Sequence, residues 1–322
     1  MVSPTATLPV WRRVGVSIFQ RGGAKNFNKP TALPMDDTEH ESWQDSNRSW
    51  WEANPMRYDW RDSKLGEEFS KEFYQEIDQR FFESVRKYMP WKQIPFDPLI
   101  DFEALADRDV LEIGVGNGSH AQLLAERARS FNGIDLTEYA VESTSKRMQC
   151  FGIDANVHQM DAERLEFPDE SFDFVWSWGV VHHSADTRQI MSEISRVLRP
   201  GGHCITMVYH RSLWFYYVIR GLLPGVLGGQ FLKGRSFSEV VQGNTDGAIA
   251  RYYTAVEWKR LASEFLEVEA VEILGQNNEV IPLPAGKLKL AVERALPESV
   301  ARFVTHTCRQ GSFLVATHRK TG

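Results

Sequence analysis

The spacing of apolar residues divides the chain into regions of different character. Residues 1–48 are punctuated by Pro, Asn and Asp and show no sustained period, which predicts an irregular segment. Within 49–104, apolar side chains recur at every fourth position from Phe69 to Met89. That spacing predicts a helix over 66–89, and three prolines follow it. We therefore expect an N-terminal helical cap.

From residue 105 to 209 the pattern becomes an alternation of short apolar runs and helical segments. Strands are predicted at 109–113, 131–136, 155–160, 172–178 and 203–209, and helices near 119–129, 138–150 and 187–198. Two further strands, 266–274 and 312–318, are predicted to pair antiparallel at the end of the sheet. The expected fold class is α/β, with a doubly wound, mostly parallel, seven-stranded sheet of Rossmann-like type.

Two insertions interrupt the later part of this pattern. Residues 210–255 are rich in aromatic residues and Gly, and a second insertion near 275–310 lies within the C-terminal part, 256–322. The apolar run 213–232 contains Arg220, Pro224 and four glycines, which disfavours a membrane-spanning helix. Three interpretations stay open for this run: the lid over a lipophilic acceptor, a membrane contact, or a packing or dimer surface.

Composition narrows the choice of partners. Hydrophobic residues make up 42% of the chain, and the formal net charge is −6. An acidic chain of this kind is not expected to bind nucleic acid. Three scattered cysteines favour a reducing, cytoplasmic location, and no metal site is expected. Residues 1–34 carry five basic side chains and no acid, which fits either a loosely packed tail or a targeting segment.

The chemistry concentrates where the first predicted strand ends. The strand runs into Gly114, Gly116 and Gly118 in a Gly-x-Gly-x-Gly pattern, and a helix follows. Glycines allow a sharp turn and close approach of a ligand to the backbone. A dinucleotide site would have its third glycine at position 119, which is Ser. Glu112, just before the turn, suits a cationic group such as the ammonium of an amino acid better than a pyrophosphate.

Two more acids follow the next two strands. Asp135, followed by Leu136, can accept hydrogen bonds from two ribose hydroxyls, and Asp161, followed by Ala162, can accept one from an adenine amino group. The carboxyl ends of parallel strands form the ligand-binding edge of open α/β sheets. Amino acid, ribose and adenine in this order indicate S-adenosyl-L-methionine as the cofactor.

These residues resemble the class I SAM-dependent methyltransferases, in the subgroup similar to quinone C-methyltransferases and other small-molecule methyltransferases. The resemblance covers about residues 105–209. The motifs that carry it are Glu112–Gly118, Asp135, Asp161-Ala162, the run Phe167–Val175, His182-His183, and Arg196–Gly202. It implies that Gly114, Gly116, Gly118 and Asp135 contact the cofactor, that residues 161 and 162 flank the adenine, and that Trp178 lies near the methionine portion. Trp178 as a plain core residue stays an alternative.

Methyl transfer requires alignment of an acceptor with the methyl group and, if the acceptor carries a proton, a base. His182 and His183 follow the fourth strand and are the candidate bases, and Tyr58 is a further candidate on the substrate side. The expected acceptor is a small lipophilic or aromatic molecule. A membrane lipid or quinone acceptor, a non-catalytic SAM-binding regulator and an NAD-linked oxidoreductase are the alternatives, and the sequence does not indicate an oligomeric state.

Overall fold

A central sheet with helices on both faces forms the body of the protein. The computed structural model describes residues 37–58, 66–283 and 286–322. The strands are β1 Asp109–Ile113, β2 Ser130–Asp135, β3 Asn156–Gln159, β4 Phe172–Trp178, β5 Leu198–His210, β6 Tyr252–Tyr253, β7 Glu267–Leu274 and β8 Phe313–Arg319. Their order across the sheet is β3-β2-β1-β4-β5-β8-β7, and β6 pairs with β5.

The strand directions confirm the expected fold class. β1 to β6 pair in parallel, and β8 pairs antiparallel with both β5 and β7. Seven strands form the continuous path that the sequence predicts. The additional two-residue strand β6 lies inside the segment 210–255, so the insertion rejoins the sheet before its predicted end.

Ten α-helices flank the sheet within the described residues. They are α1 Asp37–Ala53, α2 Lys71–Tyr88, α3 Ser119–Ala125, α4 Glu138–Phe151, α5 Thr187–Val197, α6 Leu223–Val226, α7 Phe237–Gln242, α8 Ala255–Ala262, α9 Lys287–Ala295 and α10 Glu298–Arg302. Two π-helical segments, Leu213–Leu222 and Phe303–Thr307, lie in the two insertions. None of the helices in the described ranges is both long and apolar enough to cross a membrane.

The hydrophobic core lies on both faces of the sheet. On one face, Ile194 of α5 and Trp258 of α8 pack against β1, β4 and β5. On the other, Val85 of α2, Leu124 of α3 and Met148 of α4 pack against the same sheet. The two clusters hold the sheet rigid, so the ends of its strands are fixed in space.

The prediction of an irregular segment over 1–48 is wrong for its last twelve residues. Helix α1 begins at Asp37 and continues through residue 48 to Ala53, so the boundary predicted there falls inside a helix. Its buried side chains are polar, Gln44 and Asn47, and a search for apolar periodicity therefore misses it. Residues 1–36 lie outside the described part of the chain. The prediction of a loosely packed tail or a targeting segment over residues 1–34 concerns these residues and stays a prediction.

The fifth strand also begins earlier than predicted. β5 starts at Leu198, which pairs with Phe172 of β4, and the register then shifts before His203 pairs with Phe174. The Pro200-Gly201-Gly202 segment, which follows the helix predicted near 187–198, lies in this irregular start of the strand. Gly201 has a φ of +79°, which allows the chain to bend there.

Candidate cofactor and acceptor site

The three glycines after β1 have different roles in the turn. Gly114, Gly116 and Gly118 all have positive φ, at +84°, +53° and +79°. A Cβ on Gly114 would lie 2.2 Å from Val180 Cγ2, and one on Gly118 would lie 2.9 Å from Arg147 Cδ. A Cβ on Gly116 would meet no atom within 4 Å. The outer glycines therefore permit close packing of the protein, while the middle one borders open space for a ligand.

Glu112 is a buried acid with an unpartnered oxygen. Its side chain is only 1% exposed, and Oε2 accepts no hydrogen bond. The nearest ionisable group across from it is His120, with Nδ1 at 3.7 Å from Oε1. Burial, with a smaller contribution from the charge of Asp135, raises the pKa of Glu112 well above its usual value. A buried carboxylate of this kind fits a cationic ligand group, such as an ammonium, that would supply the missing partner.

Asp135 stabilises the glycine turn from the end of β2. Its Oδ2 accepts from the backbone N–H of Gly116 at 3.1 Å, and its Oδ1 accepts from Thr137 N at 3.0 Å and Thr137 Oγ1 at 2.8 Å. Burial raises the pKa of Asp135, and these hydrogen bonds oppose the rise. Leu136 is half-buried beside it. Three of the about four lone-pair positions of the carboxylate are thus used, which leaves one for a ribose hydroxyl next to the open space at Gly116.

Asp161 lies at the same edge, after β3, and is already in contact with α1. Gln44 Nε2 donates to both carboxylate oxygens of Asp161, at 3.0 and 2.9 Å. The same amide accepts from the backbone N–H of Ala185 through Oε1 at 3.3 Å. The half-buried Ala162 packs against the core on this side of the sheet. The side-chain NH₂ group of Gln44 donates to Asp161 in the way that the sequence predicts for the amino group of adenine.

Helix α1 lies across the carboxyl edge of the sheet. His40 hydrogen-bonds Glu163, and Asn47 Nδ2 donates to the carbonyl oxygen of His183. Glu52 accepts from the backbone N–H groups of Glu138 and Tyr139, at 3.0 Å each, and so caps the N-terminus of α4. The helix therefore connects the ends of β2, β3 and β4, and sequence reasoning did not assign it to the site.

Arg147 joins the glycine turn to the N-terminal cap. Its side chain is buried and forms an ion pair with Asp78 of α2. It also donates to the carbonyl oxygen of Asn117 at 3.2 Å and to Gln122 Oε1 at 2.8 Å. One guanidinium thus connects α2, the turn, α3 and α4.

The two candidate histidines differ in their hydrogen bonding. His183 Nδ1 lies 2.6 Å from the carbonyl oxygen of Ile249, so Nδ1 carries the proton and the buried Nε2 has a free lone pair. Both ring nitrogens of His182 are buried without a partner. Burial lowers the pKa of each ring, so both are neutral at pH 7. Only the tautomer of His183, of these two, is fixed by a hydrogen bond, and that tautomer leaves Nε2 able to accept a proton as a general base does.

Aromatic side chains surround these histidines. The ring of His182 lies 4.1 Å from that of His183 and 4.0 Å from that of Tyr209, between centroids. Trp51 of α1 approaches His183 edge-on at 5.1 Å. Tyr252 of β6 lies 5.3 Å from Tyr209. The histidines therefore border an aromatic-walled region that β5, β6 and α1 build together.

A carboxylate that the sequence did not indicate belongs to this region. Asp246 Oδ1 accepts from Tyr209 Oη at 2.7 Å. Burial raises the pKa of Tyr58, and the charge of Asp246 raises it further. Burial lowers the pKa of His183, and the charge of Asp246 opposes part of that decrease. Asp246 is in an irregular loop of the first insertion, where no spacing rule marks it.

Tyr58 and Trp178 are placed on the side of the N-terminal cap. The ring of Tyr58 lies 5.0 Å from that of Phe81, and its φ of +55° is unusual for a residue with a side chain. Trp178 stacks on Trp176 at 5.2 Å and meets Phe96 at 5.0 Å. Trp178 thus packs with the core while remaining partly exposed, and Tyr58 packs its ring against α2 of the N-terminal cap.

The central region of the chain is similar to known methyltransferases. A family model described as a methyltransferase domain matches residues 111–206. Over 109 residues the chain is 33% identical to an uncharacterized methyltransferase of Bacillus subtilis (strain 168), covering 34% of this chain and 43% of that protein.

Two further relatives match the same length of chain. A phthiotriol/phenolphthiotriol dimycocerosates methyltransferase of Mycobacterium tuberculosis is 37% identical over 101 residues, which are 31% of this chain and 37% of that protein. A 27-O-demethylrifamycin SV methyltransferase of Amycolatopsis mediterranei is 36% identical over 96 residues, 29% of this chain and 35% of that protein. The chain thus spans less than half the length of these relatives.

One solved structure matches most of the chain. The geranyl diphosphate C-methyltransferase of Streptomyces coelicolor A3(2), solved with Mg²⁺, geranyl diphosphate and S-adenosyl-L-homocysteine, has a TM-score of 0.51 and 15% identity. The match covers 87% of this chain and 98% of that one, and at this identity it shows the fold alone. The family model confirms the resemblance for residues 111–206, which match a methyltransferase domain, and the solved structure shows the same fold around them. S-adenosyl-L-methionine is the cofactor that this domain implies.

Proposed function

We propose that this protein transfers a methyl group from S-adenosyl-L-methionine to a small lipophilic acceptor. The observation that carries the proposal is the set of acids at three successive strand ends, beside a glycine that borders open space. Glu112 has an unpartnered buried oxygen for the ammonium, and Asp135 has one lone-pair position left for the ribose. Asp161 accepts from an amide where the adenine amino group would donate.

The cofactor supplies a methyl group on a positively charged sulphur. The aromatic rings of Trp51 and Tyr209, around His183, exclude water from the acceptor and orient it. When the acceptor atom carries a proton, His183 Nε2 accepts that proton as the bond from the acceptor to the methyl carbon forms. The carbon–sulphur bond breaks at the same time, and its electron pair stays on sulphur. Positioning of this kind contributes about 7–11 kcal/mol to a reaction of two bound groups.

The aromatic walls support a lipophilic acceptor. The ring centroids of Tyr216 and Tyr252 lie 4.8 Å apart, and Tyr252 also contacts Tyr209. Through these rings the first insertion packs against β5 and β6. The mycobacterial relative is named for phthiotriol and phenolphthiotriol dimycocerosates, and the Amycolatopsis relative for 27-O-demethylrifamycin SV. We infer a lipophilic acceptor here, without assigning the atom that is methylated.

The test is a transfer assay with methyl-labelled S-adenosyl-L-methionine and cell extracts separated into lipid and aqueous fractions. We expect labelled product in the lipid fraction by mass spectrometry. His183→Ala should lower turnover by about 100-fold or more if it acts as the base. His158→Ala, an exposed histidine on β3, is the matched control and should retain full activity.

The outcomes separate the alternatives. Labelled product only in the aqueous fraction would reject the lipophilic acceptor. Binding of S-adenosyl-L-homocysteine without transfer to either fraction would favour a non-catalytic SAM-binding protein. Full turnover in His183→Ala, with loss in His182→Ala, would move the base to the other ring.

A further inference from the structure

The two insertions expose apolar side chains to an unusual degree. Of the twelve large apolar side chains that are exposed in the described part of the chain, eleven lie in 210–255 and 275–310. We call these eleven the insert surface: Leu213, Tyr217, Leu222, Val226, Leu227, Leu232, Leu288, Leu290, Val292, Val300 and Phe303. The twelfth is Val256, on α8. Concentration of exposed apolar side chains in this way marks a contact surface.

Helix α9 turns charged side chains towards the protein and apolar side chains towards the outside, the opposite of most surface helices. Lys289 and Glu293 face the protein, with side chains 19% and 18% exposed and 3.9 Å apart. Leu288, at 67% exposed, points outward, as do Leu290 and Val292. A surface helix of a protein in water normally buries its apolar face. The arrangement of α9 suits an apolar environment on its outer side.

The π-helical segment Leu213–Leu222 buries Phe215 and Tyr216, but it also turns a basic side chain inward and leaves apolar side chains exposed at its ends. Arg220 is directed inward, where it donates to the carbonyl oxygen of Asn244 and lies over the ring of Phe215. Leu213 and Leu222, at its two ends, are exposed. The segment continues into α6 and the following turn, where Leu227 is 79% exposed and Leu232 is 92% exposed.

Direct contacts join the two insertions. The indole N–H of Trp214 lies 3.2 Å from the carbonyl oxygen of Glu279, and Trp214 N donates to Gln310 Oε1 at 2.9 Å. The charge of Arg220 contributes to lowering the pKa of Lys289, after the larger effect of burial, so the π-helical segment and α9 are near one another. The two segments therefore belong to adjoining parts of one surface.

The charges around the insert surface identify its partner. The two insertions contain ten Lys and Arg residues against five Asp and Glu residues, a balance of +5 on a chain of net charge −6. Of these described charges, five basic side chains are exposed and one acid, Glu298, is exposed. Four of them, Lys233, Arg235, Lys287 and Arg294, are close in the chain to residues of the insert surface, and the fifth, Arg309, lies beside Val256. Apolar side chains rimmed by positive charge are complementary to the surface of an anionic lipid bilayer.

We propose that the insert surface docks the protein on an anionic membrane, with the apolar side chains entering the interface and the basic side chains on the lipid phosphates. The surface lies next to the aromatic walls around Tyr209 and Tyr216, so a docked protein has its acceptor region beside the lipid. The proposal extends the lipophilic acceptor proposed above, but it does not depend on methyl transfer.

The test is co-sedimentation of the full chain with vesicles of phosphatidylcholine alone and of phosphatidylcholine mixed with phosphatidylglycerol. We expect binding to the mixed vesicles and little to the neutral ones. The double variant Leu227→Glu, Leu232→Glu should bind the mixed vesicles at least about tenfold more weakly. Lys233→Glu and Lys287→Glu should each weaken binding by about fivefold, and only in low salt.

Val256→Glu is the matched control, because Val256 is 79% exposed but lies outside the insertions, and it should bind as the unsubstituted protein does. Thermal melting of each variant shows whether the substitution leaves the fold intact, as expected for exposed side chains. If the protein binds neither the mixed nor the neutral vesicles, the proposal is overturned. It is also overturned if Val256→Glu loses as much vesicle binding as the Leu227→Glu, Leu232→Glu variant. Light scattering that shows a dimer, dissociated by the Leu227→Glu, Leu232→Glu variant, would assign the surface to a second copy of the chain instead.

Discussion

The cofactor half and the acceptor half of the site are assembled in different ways. In the cofactor half, Glu112, Asp135 and Asp161 follow three successive strands, and parallel pairing brings those strand ends to one edge. In the acceptor half, Trp51, His183 and Asp246 come from a helix, a loop after β4 and an insertion, separated by more than 60 residues at each step. The first half follows from topology, and the second from packing between distant segments.

Substitution of Asp135 tests the cofactor half with the largest expected effect. Asp135→Ala removes the carboxylate that supports the glycine turn and accepts from a ribose hydroxyl, a charged hydrogen bond that contributes about 1.5–3 kcal/mol. Affinity for S-adenosyl-L-homocysteine should therefore fall by about 100-fold or more in isothermal titration calorimetry.

Asp154→Ala is the control for this measurement, since Asp154 is exposed and lies before β3, away from the carboxyl edge. It should bind normally. If circular dichroism shows that both variants are folded and Asp135→Ala still binds with near-native affinity, Asp135 does not bind the ribose. The assignment of the cofactor half to the strand ends would then be wrong.

Substitution of Gln44 tests whether α1 belongs to the cofactor half. Gln44→Ala should weaken binding of S-adenosyl-L-homocysteine by about three- to tenfold, because one hydrogen-bonded contact that closes α1 over the edge is lost. Gln79→Ala, an exposed glutamine on α2, is the control. Tighter binding by Gln44→Ala would instead show that the amide competes with the adenine for Asp161.

The smallest effect concerns protons at Glu112. Because its pKa is raised in the free protein, Glu112 holds a proton to higher pH than an exposed glutamate does. A bound ammonium favours the carboxylate form, so binding should release a fraction of a proton, and affinity should decrease as pH is lowered through that raised pKa. Calorimetry in buffers of different ionisation enthalpy measures this release.

Glu112→Gln should show no such dependence on the buffer. Identical heats in both buffers for the unsubstituted protein would mean that Glu112 does not change its protonation on binding. The ammonium contact would then have to lie elsewhere.

The fold and the cofactor half could be predicted because local signals and topology agree there. The glycine turn, the acids at strand ends and the apolar runs of strand length all lie within residues 109–178. The alternation of strands with helices predicts the parallel pairing of β1 to β5. The site assignments themselves stay predictions until a ligand is measured.

Helix α1 and Asp246 could not be predicted from apolar spacing. His40, Gln44, Asn47 and Trp51 recur at helical spacing, but three of the four are polar, so the pattern carries no hydrophobic period. Asp246 belongs to a loop whose partner, Tyr209, is fixed only when β5 and the first insertion pack together. Helical spacing of polar residues just before a domain is the one signal that could have revealed α1.

The ion pair between Arg147 and Asp78 has a consequence for where the cofactor-binding unit begins. The family match starts at residue 111, yet the guanidinium that braces the glycine bend relies on a carboxylate more than thirty residues upstream. A fragment starting at the first strand would lose both that carboxylate and the helix that covers the guanidinium, so Arg147 would face solvent instead of its ion-pair partner. The smallest autonomous module therefore includes the helix that precedes the matched region, and truncation at the homology boundary would weaken the very bend it was meant to isolate.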